Sequence, residues 1–143
     1  MGDWYVTRVV VDRIPILVLL SSASLLAVVT RAQSLRTLPE QLPDLVRTRL
    51  RRLGASTEFV DAETRAMSPV AVSTTRDRSV LGILVDFGKL MSHLLPDVWN
   101  EGDFIDIEAH FAETPCFVTR SFRETVFPRD KALGLLEARW GAS

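Results

Sequence analysis

The first thirty residues alternate between dense β-branched runs and short polar breaks, a pattern typical of strands. The runs cover residues 4–11, 14–20 and 25–30, and the breaks fall at residues 12–13 and 21–24. Short runs joined by such short breaks predict an antiparallel meander. The second run is almost entirely apolar, so we expect it to be buried on both faces and to lie at the centre of the sheet.

The uncharged stretch from Ile14 to Thr30 raises the alternative of a membrane span or an export signal. A spanning helix needs about 20 mainly apolar residues, whereas this stretch is shorter and carries three serines near its middle. Asp3 and Asp12 precede it, where an export signal has basic residues. The β-branched content therefore favours strands, and we expect no membrane association.

After the meander, the apolar spacing changes to every third or fourth residue, which predicts helices. Thr37 and Glu40 have the spacing of a capping box at the start of a helix that Gly54 ends. A start at Pro43 would make that helix shorter. Ser56 is expected to cap a second helix over residues 57–67.

Two more helices are predicted further along the chain. One begins at Asp77 or Ser79 and ends before Pro96, and the last runs from Pro128 or Asp130 to Trp140. Residues 69–75, the strictly alternating residues 104–111, and a region near 116–126 predict further strands. The predicted fold is therefore α+β, a single domain over residues 1–143. Its mostly antiparallel sheet combines the meander with later strands, and three to four helices pack on one face.

Composition narrows the class of protein. Hydrophobic residues make up 47% and charged residues 24% of the chain, which is typical of a globular domain and excludes wholesale disorder. The net charge of −1 argues against a strongly basic nucleic-acid binder. The one cysteine cannot form an internal disulfide, so we expect a cytoplasmic location.

Charge is unevenly distributed along the chain. Residues 1–78 hold eleven Arg and eight acidic residues, and residues 79–143 hold six basic and ten acidic residues. Opposite patches of this kind favour a homo-oligomer or another protein partner. The candidate interaction surface is the second half of the first helix, with Arg47, Arg49, Arg51 and Arg52. Nucleic-acid binding through these arginines is less favoured, because no recognised binding motif accompanies them.

Three motifs occur in order: G-D-W-Y at residues 2–5, R-S-V-L-G at 78–82 and E-T-P-C at 113–116. The chain resembles an uncharacterised bacterial and archaeal domain family whose members carry G-D-W-Y, R-S-V-L-G and E-x-P-C elements. The resemblance spans nearly the whole chain and implies no established activity. Members of that family have a basic segment before G-D-W-Y, whereas this chain begins inside the motif. An abbreviated copy of this kind predicts carriage on mobile DNA or in a gene cassette.

The start of the third helix is the candidate ligand site. Two arginines, a hydroxyl and the amides of the first helical turn suit a phosphate or a carboxylate. The structural alternative is favoured: Ser79 caps the helix, Gly82 allows close packing on the sheet, and the arginines pair with nearby aspartates. The candidate ligand-binding residues are Arg76, Arg78, Ser79, Asp3 and Asp86.

Two further groups have simpler interpretations. Cys116 would need a base to become a nucleophile, and neither His93 nor His110 lies in a catalytic context, so a small buried hydrophobe is favoured. Asp106, Glu108 and His110 would share one face of the predicted strand, and a solvated sheet face explains them without a cation. We expect no metal and no cofactor.

Three functions follow, in order of preference. The first is a non-enzymatic interaction or regulatory domain that self-associates, with an exposed apolar patch beside the arginine-rich helix or on the sheet. The second is a small-molecule or anion-binding enzyme that uses Arg76, Arg78, Ser79 and Asp3. The third is nucleic-acid binding. Catalysis is not first because the sequence supplies no set of nucleophile, base and orienting group.

Overall fold

A computed structural model describes residues 3–32, 37–67, 78–118 and 124–141; residues 78, 79, 117, 118 and 124 are described by their backbone alone. The chain forms an α+β fold, as the sequence predicts. Its elements in chain order are β1 (Trp4–Val11), β2 (Ile14–Ser21), β3 (Ala27–Arg31), α1 (Leu38–Leu53), α2 (Thr57–Ala66), α3 (Arg78–Leu94), α4 (Gly102–Ala112), β4 (Cys116–Val118), β5 (Glu124–Val126) and α5 (Pro128–Trp140).

The predicted meander is confirmed. Its strands pair antiparallel in the order β1-β2-β3, with Trp4 opposite Ser21 and Val11 opposite Ile14. The central strand β2 is buried along almost its whole length, as its apolar run requires. The uncharged stretch is therefore sheet, and within the part of the chain that the structure describes no helix has the length and apolarity to cross a membrane.

The turn between β1 and β2 consists of two residues in the left-handed conformation. Asp12 and Arg13 have φ angles of 52° and 66°, which is the geometry of a type I′ hairpin turn and matches the twist of the strands. The Asp12 carboxylate also accepts a hydrogen bond from Trp99 Nε1 at 2.8 Å. This bond anchors the segment before α4 to the tip of the hairpin.

Helices cover both faces of the sheet, so the expectation of helices on one face is wrong. On one side, α3 and α4 pack around Phe87 and Phe111, whose rings stack with their centroids 4.1 Å apart. On the other side, α1, α2 and α5 pack around Trp4, Leu42 and Leu136. The reason lies in β2: because both of its faces are apolar, a single layer of helices would leave one face in water.

The predicted strand over residues 104–111 is wrong, because these residues lie in α4. Alternation and helical spacing coincide here: Phe104, Ile107 and Phe111 are three and four residues apart and all are buried, whereas Ile105 is 47% exposed. Packing of one helical stripe against the sheet outweighs the local alternation. The strand predicted near residues 116–126 is a hairpin of β4 and β5, which forms a sheet of its own and does not extend the meander. The strand predicted at 69–75 lies outside the described residues.

The predicted ends of α1 and α2 are largely confirmed. α1 begins at Leu38 rather than Pro43 and is closed by Gly54 in the left-handed conformation. Ser56 occupies the N-cap position of α2, but its side chain makes no capping hydrogen bond. The capping box is not formed as predicted, because the Thr37 side chain caps no amide of the first turn. Instead, the Thr37 carbonyl accepts hydrogen bonds from the amides of Glu40 and Gln41.

Gly54→Ala is expected to lower the free energy of unfolding by about 1 kcal/mol. A Cβ at this position has open space, but the φ of 92° strains any L side chain. The matched control is Gly134→Ala in α5, where a Cβ also meets no described atom and φ is helical. This variant is expected to raise stability by about 0.5–1 kcal/mol. Urea denaturation measures both, and a stabilising effect of the first variant would contradict the left-handed cap.

Candidate functional site

A buried ion pair closes the outer edge of β3. Arg49 from α1 and Glu108 from α4 are 3% and 1% exposed. Arg49 Nε donates to the Ala27 carbonyl at 2.9 Å, and Glu108 Oε2 accepts from the Val29 amide at 2.9 Å. A neighbouring strand would offer this edge the same kinds of donor and acceptor. The ion pair therefore occupies two backbone groups of this edge and protects that part of it against pairing with another strand.

The cluster contains three charged side chains, those of Arg49, Arg52 and Glu108. Arg52 Nη2 donates to Glu108 Oε1, and Arg49 Nη2 donates to the Glu108 carbonyl at 2.9 Å. Two guanidinium groups therefore face one carboxylate. Burial raises the pKa of Glu108, and the Val29 amide and the two guanidinium groups oppose that rise. Burial also lowers the pKa of Arg49 from its usual value, which the nearby carboxylate counteracts.

A cleft of about 310 Å³ opens beside the buried cluster, between β3, α1 and the N-terminal part of α4. An exposed ion pair lies along it, with Arg31 Nε 3.1 Å from Glu101 Oε1. Both walls carry apolar and charged side chains. Leu45, Thr48 and Arg52 line the first wall, and Glu101, Ile105 and Glu108 line the second.

Arg52 also lines a second cavity, of about 170 Å³, between the C-terminal parts of α1 and α4 and the beginning of α5. Arg49 and Arg129 line it as well, together with Glu113. Arg129 Nη1 donates to Glu113 Oε1 at 3.2 Å, and both side chains are at least half exposed. This cavity is therefore rich in guanidinium groups.

The four arginines of the candidate interaction surface differ in their surroundings. Arg49 lies in the core, and Arg52 lies between the core and the two cavities. Arg47 pairs with Asp44 at 3.2 Å, and Arg51 Nη2 lies 3.8 Å from an Asp61 oxygen. The sequence carried a signal for this difference: Arg49 falls on the apolar stripe of α1, three residues after Val46 and four before Leu53.

The strand interpretation of residues 104–111 places Glu108 on a solvated sheet face, whereas the structure places it at the centre of the cluster. In a helix, Glu108 lies four residues after Phe104 and so falls on the buried stripe, whereas Asp106 and His110 are exposed. The three residues therefore do not share a face, which corrects the sequence interpretation. Residues 3–32, 37–67, 78–118 and 124–141 contain no cluster of His, Cys, Asp or Glu fit to bind a metal.

The candidate ligand site at the start of α3 stays a prediction. Arg76 lies outside the described residues, and Arg78 and Ser79 are described by their backbone alone. Asp3 and Asp86 are exposed.

The glycine that approaches the sheet is Gly88 rather than Gly82, which corrects the prediction for Gly82. A Cβ on Gly88 would lie 3.2 Å from Cγ2 of Val9 and 3.5 Å from Cγ2 of Thr7. A Cβ on Gly82 would meet no described atom within 4 Å. The close packing of α3 on β1 therefore depends on the second glycine of the helix.

Cys116 is a core residue at the start of β4. It is 4% exposed, and its thiol lies 3.5 Å from the Thr114 carbonyl, to which it donates. Burial raises the pKa of the Cys116 thiol to about 11. The thiol is therefore protonated at neutral pH, which matches the interpretation of this residue as a small buried hydrophobe.

The fold and its cavities define a small α+β domain in which a buried ion cluster separates a mixed polar and apolar cleft from an arginine-rich cavity. A family model described as Domain of unknown function (DUF6933) matches residues 1–131. The chain therefore belongs to this family, which confirms the resemblance to an uncharacterised domain family. No curated protein and no solved structure matches the chain.

Proposed function

We propose that this domain is a non-enzymatic interaction module that self-associates through the cleft between α1 and α4. The observation that carries the proposal is the mixture of side chains in the cleft. Ile105 is 47% exposed and, with the partly buried Leu45, forms an apolar patch beside the arginine-rich helix. Accessible apolar side chains framed by charged ones are typical of a protein interaction site.

Charge complementarity supports a second copy of the chain as the partner. Arg31 and Arg52 lie on the β3 and α1 side of the cleft, and Glu101, whose partner within the chain is Arg31, lies on the α4 side. An interface around a two-fold axis brings the same surface together twice, so each basic side meets an acidic side of the other copy. Complementary charges of this kind favour encounter and fix the register.

The partly occupied edge of β3 supports docking by side chains rather than by strand addition. Strand addition needs free amides and carbonyls along a sheet edge. At β3, the Val29 amide and the Ala27 carbonyl already bond to Glu108 and Arg49. A partner at this edge therefore meets the helix side chains that line the cleft.

Catalysis has less support from the described residues. Both Glu108 oxygens already accept hydrogen bonds, from the Val29 amide and from Arg52. The Cys116 thiol, whose pKa is raised to about 11, is buried in the core. Glu108 and Cys116, whose side-chain types are suited to catalysis, thus both have structural roles.

Ile105→Asp is expected to raise the dissociation constant of the dimer by about 100-fold. A two-fold interface contains Ile105 twice, so the lost burial and the added charge repulsion are each counted twice. The matched control is Val10→Asp, because Val10 is 59% exposed on the opposite edge strand, β1. Sedimentation equilibrium over a range of concentrations measures both variants.

A monomeric wild-type chain at all concentrations would overturn self-association. Equal weakening by Val10→Asp would place the interface elsewhere on the molecule. Circular dichroism of Ile105→Asp should be unchanged, because this side chain is half exposed. A cytoplasmic location and carriage in a mobile gene cassette stay predictions that this experiment does not address.

A further inference from the structure

The cavity between α1, α4 and α5 concentrates positive charge. Arg49, Arg52 and Arg129 line it, and Glu113 is the one acidic residue among its lining residues. Glu108 balances a further charge through its contact with Arg52. Three guanidinium groups thus face two carboxylates, which leaves one positive charge without a partner in this group.

We propose that this cavity binds a small oxyanion, the phosphate or carboxylate group of a ligand, between Arg52 and Arg129. Guanidinium groups bind such groups through paired N–H donors in a planar fork. Each guanidinium carries five N–H donors, more than the contacts with Glu108 and Glu113 use. The bound oxyanion supplies the missing negative charge.

The size of the cavity defines what it accepts. A volume of about 170 Å³ is below the roughly 300–1,000 Å³ of sites that enclose a drug-sized ligand. The cavity therefore holds one oxyanion group, and the rest of a larger ligand would extend into solvent past the exposed Arg129. Its other lining residues, Leu53, Ala109 and Ala112, offer only short or apolar side chains.

Glu113 occupies the donor that the oxyanion needs. Its carboxylate accepts from Arg129 at 3.2 Å, and the Glu113 side chain is 61% exposed. The ligand must therefore displace Glu113 from Arg129 or bind beside it against charge repulsion. This competition predicts that anion binding is tightened by a substitution of Glu113 and weakened by a substitution of Arg129. An ion pair with a merely structural role would not show these opposite effects.

The test uses isothermal titration calorimetry of the full chain with inorganic phosphate and, separately, with acetate, at matched ionic strength in chloride. Glu113→Gln is expected to tighten binding by about three- to ten-fold, because it removes the competing charge. Arg129→Gln is expected to weaken binding by about ten-fold or more. Arg51→Gln is the matched control, because this exposed arginine of α1 pairs with Asp61 and does not line the cavity.

Binding of phosphate alone identifies a phosphate-bearing ligand, and binding of acetate alone identifies a carboxylate-bearing one. No heat with either anion at millimolar concentration would overturn the proposal. Equal affinities in the Arg129→Gln and Arg51→Gln variants would also overturn it, because binding would then be a general effect of surface charge. Ile105→Asp should bind the anion like the wild type, so the result is independent of self-association.

Discussion

Glu108→Ala is expected to lower the free energy of unfolding by about 3–5 kcal/mol, the usual cost of removing one partner from a buried ion pair. The Val29 amide and the Arg52 guanidinium lose their acceptor, and the buried Arg49 loses its counter-ion. An unsatisfied amide at the sheet edge and an uncompensated buried cation both disfavour the folded state. Urea denaturation followed by circular dichroism measures the loss.

Glu108→Gln is the conservative control. Its amide oxygen can still accept from the Val29 amide, so we expect a loss of about 1–2 kcal/mol, clearly smaller than that of the alanine variant. Equal losses would show that the charge rather than the acceptor at the edge stabilises the fold.

The same control gives a pH dependence with a defined sign. Burial raises the folded-state pKa of Glu108 above its usual 4.5, so the folded state favours the protonated form. The contribution of Glu108 is fully present below the unfolded pKa and is lost as the pH rises through the folded pKa. The stability difference between the wild type and Glu108→Gln should therefore shift in favour of the wild type as the pH falls toward 4.5. A shift in the opposite direction would contradict the raised pKa.

An apolar replacement of the whole ion pair tests whether the pair stabilises the fold through its charges or through its bonds to the β3 backbone. Replacing a buried pair with apolar residues of similar size is often neutral or stabilising. In this fold the Arg49→Met and Glu108→Leu double variant also leaves the Ala27 carbonyl and the Val29 amide without partners. We therefore expect it to stay about 2 kcal/mol or more below the wild type. A double variant as stable as the wild type would show that the Ala27 carbonyl and the Val29 amide need no side-chain partner.

The sequence patterns that predicted the fold correctly are those that are compatible with only one local structure. The β-branched runs around the two left-handed turn residues, Asp12 and Arg13, permit a hairpin and little else. The apolar stripe of α1, closed by Gly54, has only one phase that buries its leucines. In both cases neighbours in sequence supply the deciding information.

The patterns that failed depend on contacts between distant residues. Residues 104–111 fit both a strand and a helix, and the contact of α4 with the sheet decides between them. The bond from the Val29 amide to Glu108 spans 79 residues, so no local window contains both partners. The ion cluster could not be predicted from local sequence for the same reason. Glu108, the two arginines and the edge of β3 lie in three separate segments of the chain.

A second buried carboxylate ties α2 to the C-terminal helix. Glu63 is 1% exposed, and it accepts hydrogen bonds from Arg139 Nη1 at 2.8 Å and from Trp140 Nε1 at 3.1 Å. Arg139 also lies over the Trp140 ring, 5.0 Å from its centroid. The two donors lie beyond residue 131, where the match to the family model ends. The end of α5 thus supplies two hydrogen-bond donors, one of them charged, to a residue inside the matched range.

The Arg139→Ala and Trp140→Phe double variant is expected to lower the free energy of unfolding by about 3 kcal/mol. The phenylalanine keeps most of the ring packing, so the main loss is that of two donors to a buried carboxylate. Arg129→Ala in the same helix is the matched control: its partner Glu113 is exposed, and we expect a change within about 0.5 kcal/mol.

Urea denaturation of both variants, at one pH and in phosphate-free buffer, compares the free energy lost with a buried acceptor and with an exposed one. Burial of the acceptor and the contact with the Trp140 ring distinguish Arg139 from Arg129, because each arginine donates to a carboxylate and each side chain is about half exposed. If the two variants lose the same stability, burial of Glu63 adds nothing to the bond. If the double variant loses several times more, the bonds that the end of α5 donates to Glu63 are part of the folded core.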